Sequence, residues 1–144
     1  MSRTTTLRGN PLPLEGPELK AGDPAPDATL SKDLVNEVKL SDFNGKIRIL
    51  SVVPSLDTPV CAAQTKRFNE EATNLSNAAI ITISADLPTA QARFCGAEGI
   101  DKNKLTVLSD HRRTEFGKNF GTLVPGVRIL SRAVFVNGSD IRIA

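Results

Sequence analysis

The chain has 144 residues and a mass of 15.4 kDa, the size of one domain with a buried core. Its net charge of +2, with no tryptophan or tyrosine and no block of basic residues, gives no reason to expect a nucleic-acid partner. No apolar stretch approaches the ~20 residues of a bilayer span, and the N-terminus lacks the apolar segment of a secretory signal. We therefore expect a single cytoplasmic domain over residues 1–144, with no membrane contact.

The N-terminal part predicts a hairpin followed by three strands. Residues 4–15 form two extended arms around a Gly-Asn turn signal, and the prolines of the second arm confine it to a sheet edge. A proline-broken segment over 22–30 leads into a short strand, and residues 37–40 alternate like another. The β-branched run KIRILSVV over 46–53 is typical of a buried central strand.

The middle of the chain predicts a βαβ unit. Residues 58–76 have the spacing of a helix with one buried face, and residues 78–84 form a second buried strand. Strand, helix and strand over this length imply parallel strands joined by a right-handed crossover. Further along, we predict a helix over 88–99, a strand over 105–108 and a short helix over 113–120.

The C-terminal part predicts an antiparallel hairpin, because residues 132–136 and 141–144 flank Asn137-Gly138. The complete order indicates an α/β fold with a mixed central sheet flanked by helices, for which the thioredoxin-like architecture is the best match. Such a sheet normally has a further C-terminal helix. The chain ends on the last predicted strand, so either the protein does without this helix or the chain is a shortened form. In both cases we expect the sheet face beside it to be apolar and exposed.

The position of Cys61 favours a reactive thiol. Thr58 is a good N-cap and Pro59 is favoured at the first helical position, so Cys61 falls at the third. Its sulfur would lie near unpaired backbone N–H groups and the positive end of the helix dipole, which both favour the thiolate. Pro54 and Pro59 stiffen the turn before it. The alternative is a small buried side chain with a structural role only.

The second cysteine, Cys95, lies 34 residues later on the helix predicted over 88–99. This spacing excludes a CxxC motif. One histidine and two cysteines do not complete a tetrahedral zinc site without a carboxylate. The pair is interpreted as one reactive cysteine and one possible resolving cysteine. In a reducing compartment a disulfide would be transient, and so catalytic or redox-sensing.

The pattern Pro54-x-x-x-Thr58-x-x-Cys61 is the active-site signature of the peroxiredoxins. The surrounding SVVPSLDTPVC resembles one branch, the bacterial thiol peroxidases, which are atypical 2-Cys peroxiredoxins. The resemblance extends over most of the chain through ISADLP, RFCGAEG, LSDHR, FGKNFG and RILSRAVFV. It implies the peroxiredoxin form of the thioredoxin-like fold, no cofactor and a homodimer.

The resemblance also implies a role for each matching residue. Cys61 would be the peroxidatic cysteine, which attacks the O–O bond of a hydroperoxide and becomes a sulfenic acid. Cys95 would be the resolving cysteine, which closes an intramolecular disulfide that thioredoxin then reduces. Thr58 would hydrogen-bond the peroxide, Pro54 would shield the thiolate from water, and Arg132 would stabilise the thiolate and polarise the peroxide.

Arg128 competes with Arg132 for the role of the active-site arginine. Because Arg132 begins the apolar strand AVFV, we expect it to lie nearer the end of the sheet, and we expect Arg128 to be a surface charge. His111 is the only histidine, and its place in a predicted loop indicates a surface or capping residue instead of a catalytic base.

Three functions are compatible with these residues. The first is a thioredoxin-dependent peroxidase for organic hydroperoxides and H2O2, with a preference for the organic ones. The second is a peroxide sensor or redox relay that uses the same cysteine pair. The third is a non-catalytic thioredoxin-like binding domain, in which the thiol of Cys61 would be unactivated. For the first two, helical positions for both cysteines predict local unwinding before a disulfide can close.

Overall fold

The computed structural model describes residues 3–7, 10–43, 47–56, 59–71, 78–100 and 105–137. Strands, three α-helices and one 3-10 helix alternate along these ranges. In chain order they are β1 (Arg3–Leu7), β2 (Asn10–Leu14), β3 (Thr29–Ser31), β4 (Glu37–Lys39), the 3-10 helix (Leu40–Phe43), β5 (Ile47–Val52), α1 (Pro59–Glu71), β6 (Ala78–Ser84), α2 (Pro88–Glu98), β7 (Leu105–Ser109), α3 (Glu115–Asn119), β8 (Leu123–Val124), β9 (Ile129–Leu130) and β10 (Ala133–Asn137).

A six-stranded mixed sheet forms the centre, in the order β10-β5-β6-β7-β3-β4. Strands β5, β6 and β7 are parallel, whereas β10, β3 and β4 pair antiparallel with their neighbours. The predicted mixed sheet is therefore confirmed. The N-terminal hairpin is confirmed as well: β1 and β2 form their own two-stranded sheet, and Glu15 N–H donates to the carbonyl of Leu123 at 2.8 Å.

Helices α1 and α2 lie on the same face of the sheet, because both connect adjacent parallel strands and the sheet advances in one direction. We call this the α1/α2 face. An apolar cluster on it joins strand side chains to side chains of both helices: Ile49, Val53, Ile80, Leu105 and Val107 with Ala62 and Phe68 of α1 and Phe94 and Cys95 of α2. Helix α3 packs on the opposite face, in a second cluster with Leu50, Val52, Ile81, Ile83 and Leu108.

Helix α3 is short and is held by aromatic packing and a buried carboxylate. Phe116 and Phe120 stack at 4.3 Å between ring centroids, and both meet Phe135 edge-on. Asp110 accepts backbone N–H groups of Phe116 at 3.0 Å and Gly117 at 2.8 Å, at the start of the helix. A Cβ at position 117 would come within 2.7 Å of Leu130, so only glycine fits there without a shift.

The edge pair β10–β5 exposes apolar side chains on the α1/α2 face. Val134 and Val136 stand opposite Ser51 and Ile49 and are 52% and 39% exposed, and Ile47 of β5 is 42% exposed. The predicted exposed apolar surface is therefore present at this end of the sheet. Residues 138–144, which carry the last predicted strand and its turn, lie outside the described residues.

Two features differ from the sequence prediction. The small hairpin of β8 and β9 was not predicted, because strands of two residues carry no measurable alternation and depend on tertiary contacts. The helix predicted over 113–120 is shorter, since Thr114 takes a left-handed conformation with φ of 50° before Glu115. In the ranges given above, no helix is long and apolar enough to cross a membrane.

Asp110 predicts a pH dependence of stability. Burial raises the pKa of Asp110 to about 6 from 3.8, against the opposing effect of its two N–H donors. Between these values the folded state binds a proton that the unfolded state releases, so this contribution is lost as the pH rises through about 6. We expect the free energy of unfolding of the wild type to fall relative to that of Asp110→Asn as the pH rises from about 4 to 7. Urea unfolding of both proteins across this range measures it, and parallel pH profiles would contradict it.

Candidate active site

The loop between β5 and α1 leaves the sheet where the parallel strands end. Val53 N–H donates to the carbonyl of Ile83 at 3.0 Å, which ties the start of the loop to the end of β6. Pro54 follows and is half-buried, and Leu56 is buried. In open α/β sheets, the carboxyl ends of the strands are where ligands bind. Pro54 therefore lies at the edge of the sheet expected for a functional site.

Cys61 is the third residue of α1, since the helix begins at Pro59 as predicted. Thr58 and the side chain of Cys61 lie outside the described residues, and their roles stay predictions. The first turn of a helix has unpaired N–H groups and the positive end of its dipole, which stabilise an anion. Helix α1 is oriented on the sheet by Gln64, whose Nε2 donates to Ser51 Oγ at 2.7 Å, and by buried Thr65.

Cys95 lies near the end of α2, and only 5% of the residue is exposed. It belongs to the apolar cluster of the α1/α2 face, which also contains Ala62, the residue directly after Cys61. On the surface, Lys66 of α1 and Glu98 of α2 form an exposed ion pair at 3.3 Å. The two helices that carry the cysteines are therefore neighbours.

An apolar groove of about 700 Å³ runs beside α2 on the side away from α1. Its lining combines residues of α2 and β7 with residues around β3 and β4, including Cys95, Gln91, Val107, Val38 and Phe43. Cys95 thus lines a surface depression although little of it is in contact with solvent.

The two candidate arginines occupy different places. Arg132 directly precedes β10, and the pairing of Ala133 with Val52 brings it alongside Val53, next to Pro54. Side chains two residues apart on a strand lie on the same face of the sheet, and Arg132 is two residues before Val134. The position of Arg132 therefore belongs to the α1/α2 face. Its side chain is exposed.

Arg128 lies in the turn between β8 and β9, with a left-handed φ of 55°, and its N–H donates to the carbonyl of Val124 at 2.8 Å. It lines a surface depression together with His111, Arg112 and Pro88. His111 is exposed, as predicted, and its backbone N–H donates to Ser109 Oγ.

Sequence reasoning assigned no role to Asp86, which lies between β6 and α2. Its carboxylate accepts the hydroxyl of Ser55 and the backbone N–H of Leu56, both at 2.8 Å. The available signal was an acidic residue two positions after a buried parallel strand and two positions before a proline that starts a helix. That signal locates the residue at the carboxyl edge of the sheet, but not the loop that it contacts.

Comparisons with known proteins identify relatives over nearly the whole chain. The family model described as Redoxin matches residues 20–143. The thiol peroxidase of Bacillus subtilis is 53% identical over 131 residues, which cover 91% of this chain and 77% of that protein. The thiol peroxidase of Oceanobacillus iheyensis is 52% identical over 131 residues, covering 91% of this chain and 79% of that protein.

Solved structures share the fold. A peroxiredoxin-like protein from Aquifex aeolicus superposes with a TM-score of 0.89 at 39% identity, covering 99% of this chain and 83% of that one. A thiol peroxidase from Chromobacterium violaceum has a TM-score of 0.82 at 21% identity, and the match covers 97% of this chain and 82% of that one. The mixed sheet and its helices are therefore the thioredoxin-like fold in its peroxiredoxin form.

The burial of Cys95 predicts slow reaction with an external thiol reagent. In Cys61→Ser, Cys95 is the only thiol, and a local opening of α2 must precede its reaction. We expect an aromatic disulfide reagent to label it at least about 100-fold more slowly in buffer than in denaturant. Stopped-flow absorbance measures both rates. Equal rates would show that the thiol is accessible without opening.

Proposed function

The chain belongs to the Redoxin family, in the branch of the bacterial thiol peroxidases, and from this premise we propose how its peroxidase reaction proceeds. The protein is a thiol-dependent peroxidase, an oxidoreductase that reduces hydroperoxides. The finer proposal is a two-cysteine cycle on Cys61 and Cys95 within one domain over residues 1–144. Its substrates are organic hydroperoxides and H2O2, with the organic ones preferred.

In the first step, the Cys61 thiolate attacks one oxygen of the peroxide and the O–O bond breaks. The second oxygen leaves as an alkoxide or hydroxide, which takes a proton and becomes an alcohol or water, while Cys61 becomes a sulfenic acid. Negative charge develops on the leaving oxygen, so fixed donors and a cation lower the barrier. We assign these tasks to Thr58 and Arg132, and assign to Pro54 the exclusion of water from the thiolate.

In the second step, the Cys95 thiol attacks the sulfenic sulfur, an S–S bond forms and water leaves. One observation carries this proposal: Cys95 and Ala62, the neighbour of Cys61, belong to one apolar cluster beneath two adjacent helices. Because Cys95 is buried inside that cluster, the sulfurs meet only after a local unwinding of α1, α2 or both.

In the third step, a dithiol of the thioredoxin class reduces the disulfide by exchange, and both thiols are regenerated. No cofactor is needed for this cycle, because the electrons pass through sulfur. A reducing, cytoplasmic location fits a disulfide that is formed and reduced at every turnover. The alternative, a peroxide sensor or relay, uses the same first two steps and delivers the disulfide to a target protein instead.

The cysteine variants test the cycle. With thioredoxin, its reductase and NADPH, we expect wild type to turn over cumene hydroperoxide and, with lower kcat/KM, H2O2. Cys61→Ser should lose all turnover because it lacks the nucleophile, and Cys95→Ser should lose most of it because no disulfide closes. NADPH absorbance measures the rates, and circular dichroism controls for folding. Full turnover by Cys95→Ser would contradict the two-cysteine cycle, and an inactive, folded wild type would favour the relay.

The arginine variants test the assignment of the cation. We expect Arg132→Gln to lower kcat/KM for the hydroperoxide by about 10²- to 10³-fold, because it removes charge stabilisation at the leaving oxygen. Arg128→Gln is the matched control and should stay within about twofold, as a surface charge does. The same coupled assay measures both variants. A larger loss in Arg128→Gln would exchange the two assignments.

We propose that the protein forms a homodimer. The exposed valines of β10 provide apolar surface that association would remove from water. Light scattering at micromolar concentration should give about twice the chain mass of 15.4 kDa. Val134→Lys should give a lower mass if β10 lies in the interface and the same mass if another surface does. A monomeric mass for wild type would contradict the proposal.

A further inference from the structure

We infer that Asp86 is a positioning residue for the chemistry of Cys61, because its carboxylate holds the loop that delivers the cysteine. This inference rests on the proposed function, in which Cys61 is the nucleophile. Asp86 itself follows β6, on the connection to α2, and is distant in sequence from the loop that it contacts. The carboxylate binds Ser55 and Leu56 of that loop, and so we assign its effect to the position of the loop.

The carboxylate of Asp86 accepts hydrogen bonds from two successive residues of the loop. Ser55 Oγ donates to Oδ1 of Asp86 at 2.8 Å, and Leu56 N–H donates to Oδ2 at 2.8 Å. Leu56 is also buried, with its side chain in the apolar cluster of the α1/α2 face. It is the last described residue before α1 begins at Pro59. The carboxylate therefore restrains the chain immediately upstream of the helix turn that carries Cys61.

Asp86 is itself held by hydrogen bonds to the ends of two central strands. Ser84 Oγ, at the end of β6, donates to Oδ2 at 2.7 Å, and Ser109 Oγ, at the end of β7, donates to the backbone carbonyl of Asp86. Gln91 Nε2 of α2 donates to Ser84 Oγ at 3.0 Å. The loop before Cys61 is thus connected through Asp86 to two central strands and to the helix that carries Cys95.

The donors of the contact favour a carboxylate at this position. Three donors, the hydroxyls of Ser55 and Ser84 and the N–H of Leu56, converge on its two oxygens. A carboxylate only accepts, and its oxygens have capacity for all three. An asparagine would have the same shape but would direct its amide N–H groups at one or two of these donors. Asp86→Asn should therefore weaken the hydrogen bonds to the loop, and Asp86→Ala should abolish them.

A loop that is displaced at Leu56 moves the start of α1 relative to Arg132 and the sheet end. Supporting groups around a catalytic centre hold it within a fraction of an ångström, and a displacement of ~1 Å costs up to about 100-fold in rate. Such a loss of rate comes from the displaced position of Cys61 and not from a smaller fraction of thiolate. It should therefore persist at a pH where the thiol is fully ionised.

Asp110 provides a matched control for general destabilisation. It also sits at the end of a parallel strand and also accepts two backbone hydrogen bonds, in this case from the N–H groups of Phe116 and Gly117. Those residues belong to α3 on the opposite face of the sheet. Each substitution alters a carboxylate at the end of a central strand, but only that of Asp86 releases the loop before Cys61.

The experiment measures kcat/KM for cumene hydroperoxide against pH in wild type, Asp86→Ala, Asp86→Asn, Ser55→Ala and Asp110→Asn. We expect losses of about 10- to 100-fold for Asp86→Ala, smaller ones for Asp86→Asn and Ser55→Ala, and at most about twofold for Asp110→Asn. The losses should persist on the alkaline plateau. The inference is overturned if Asp86→Ala stays within about twofold of wild type, if its loss disappears on the plateau, or if Asp110→Asn loses as much. If Asp86→Ala does not fold, Asp86→Asn and Ser55→Ala decide by the same criteria.

A second measurement separates this inference from the proposed function. In a Cys95→Ser background, the rate of Cys61 alkylation by iodoacetamide against pH reports on the thiol without any peroxide chemistry. We expect Asp86→Ala to change the plateau rate of alkylation and to leave the midpoint of the profile in place, and we expect Asp110→Asn to change neither. An inactive wild type with this pattern would refute the peroxidase cycle but support the positioning role. An active wild type whose alkylation and kcat/KM are both insensitive to Asp86→Ala would refute the positioning role alone.

Discussion

The parallel pairing of β5 with β6 and of β6 with β7 is the constraint on which the candidate site depends. The pairs run from Ile47 with Ala78 to Val52 with Ile83, and continue into β7. Because each connection is a right-handed crossover that advances in the same direction, α1 and α2 must share a face. Two cysteines separated by 34 residues are thereby carried on neighbouring helices. The same pairing ends the strands at one edge, where the loop after β5 meets Asp86 on the connection after β6.

The layer between the sheet and these helices changes character along the strands. At its amino end the strand side chains are apolar, as in Ile80 and Leu105, and they pack with Phe94 and Cys95. Toward the carboxyl end, positions of the same face are occupied by buried hydroxyls such as Ser51 and Ser84, to which glutamines of α1 and α2 donate. Apolar burial stabilises the packing without a preferred direction. The hydrogen bonds fix the orientation of the two helices at the carboxyl end of the strands, where the candidate site lies.

Cys95 has to satisfy two opposing requirements. In the reduced fold it fills space in an apolar cluster, and its carbonyl accepts the N–H groups of Gly99 and Ile100, which close α2. To resolve a sulfenic acid it must leave that environment. Its place in the last turn reconciles the two, because the end of a helix opens at a lower free energy than its middle.

The sequence by itself determined the elements and the chemistry. Continuous apolar runs predicted β5 and β6, and Pro59 predicted where α1 begins, because these signals act over a few neighbouring residues. The cysteine pattern and its resemblance identified the reaction class. The tertiary structure alone decided which distant groups meet. Nothing local relates Asp86 to Leu56, or separates Arg132 from Arg128, because strand register brings these residues together or apart. The two-residue strands β8 and β9 also exist only through such contacts, since their own residues carry too weak a preference.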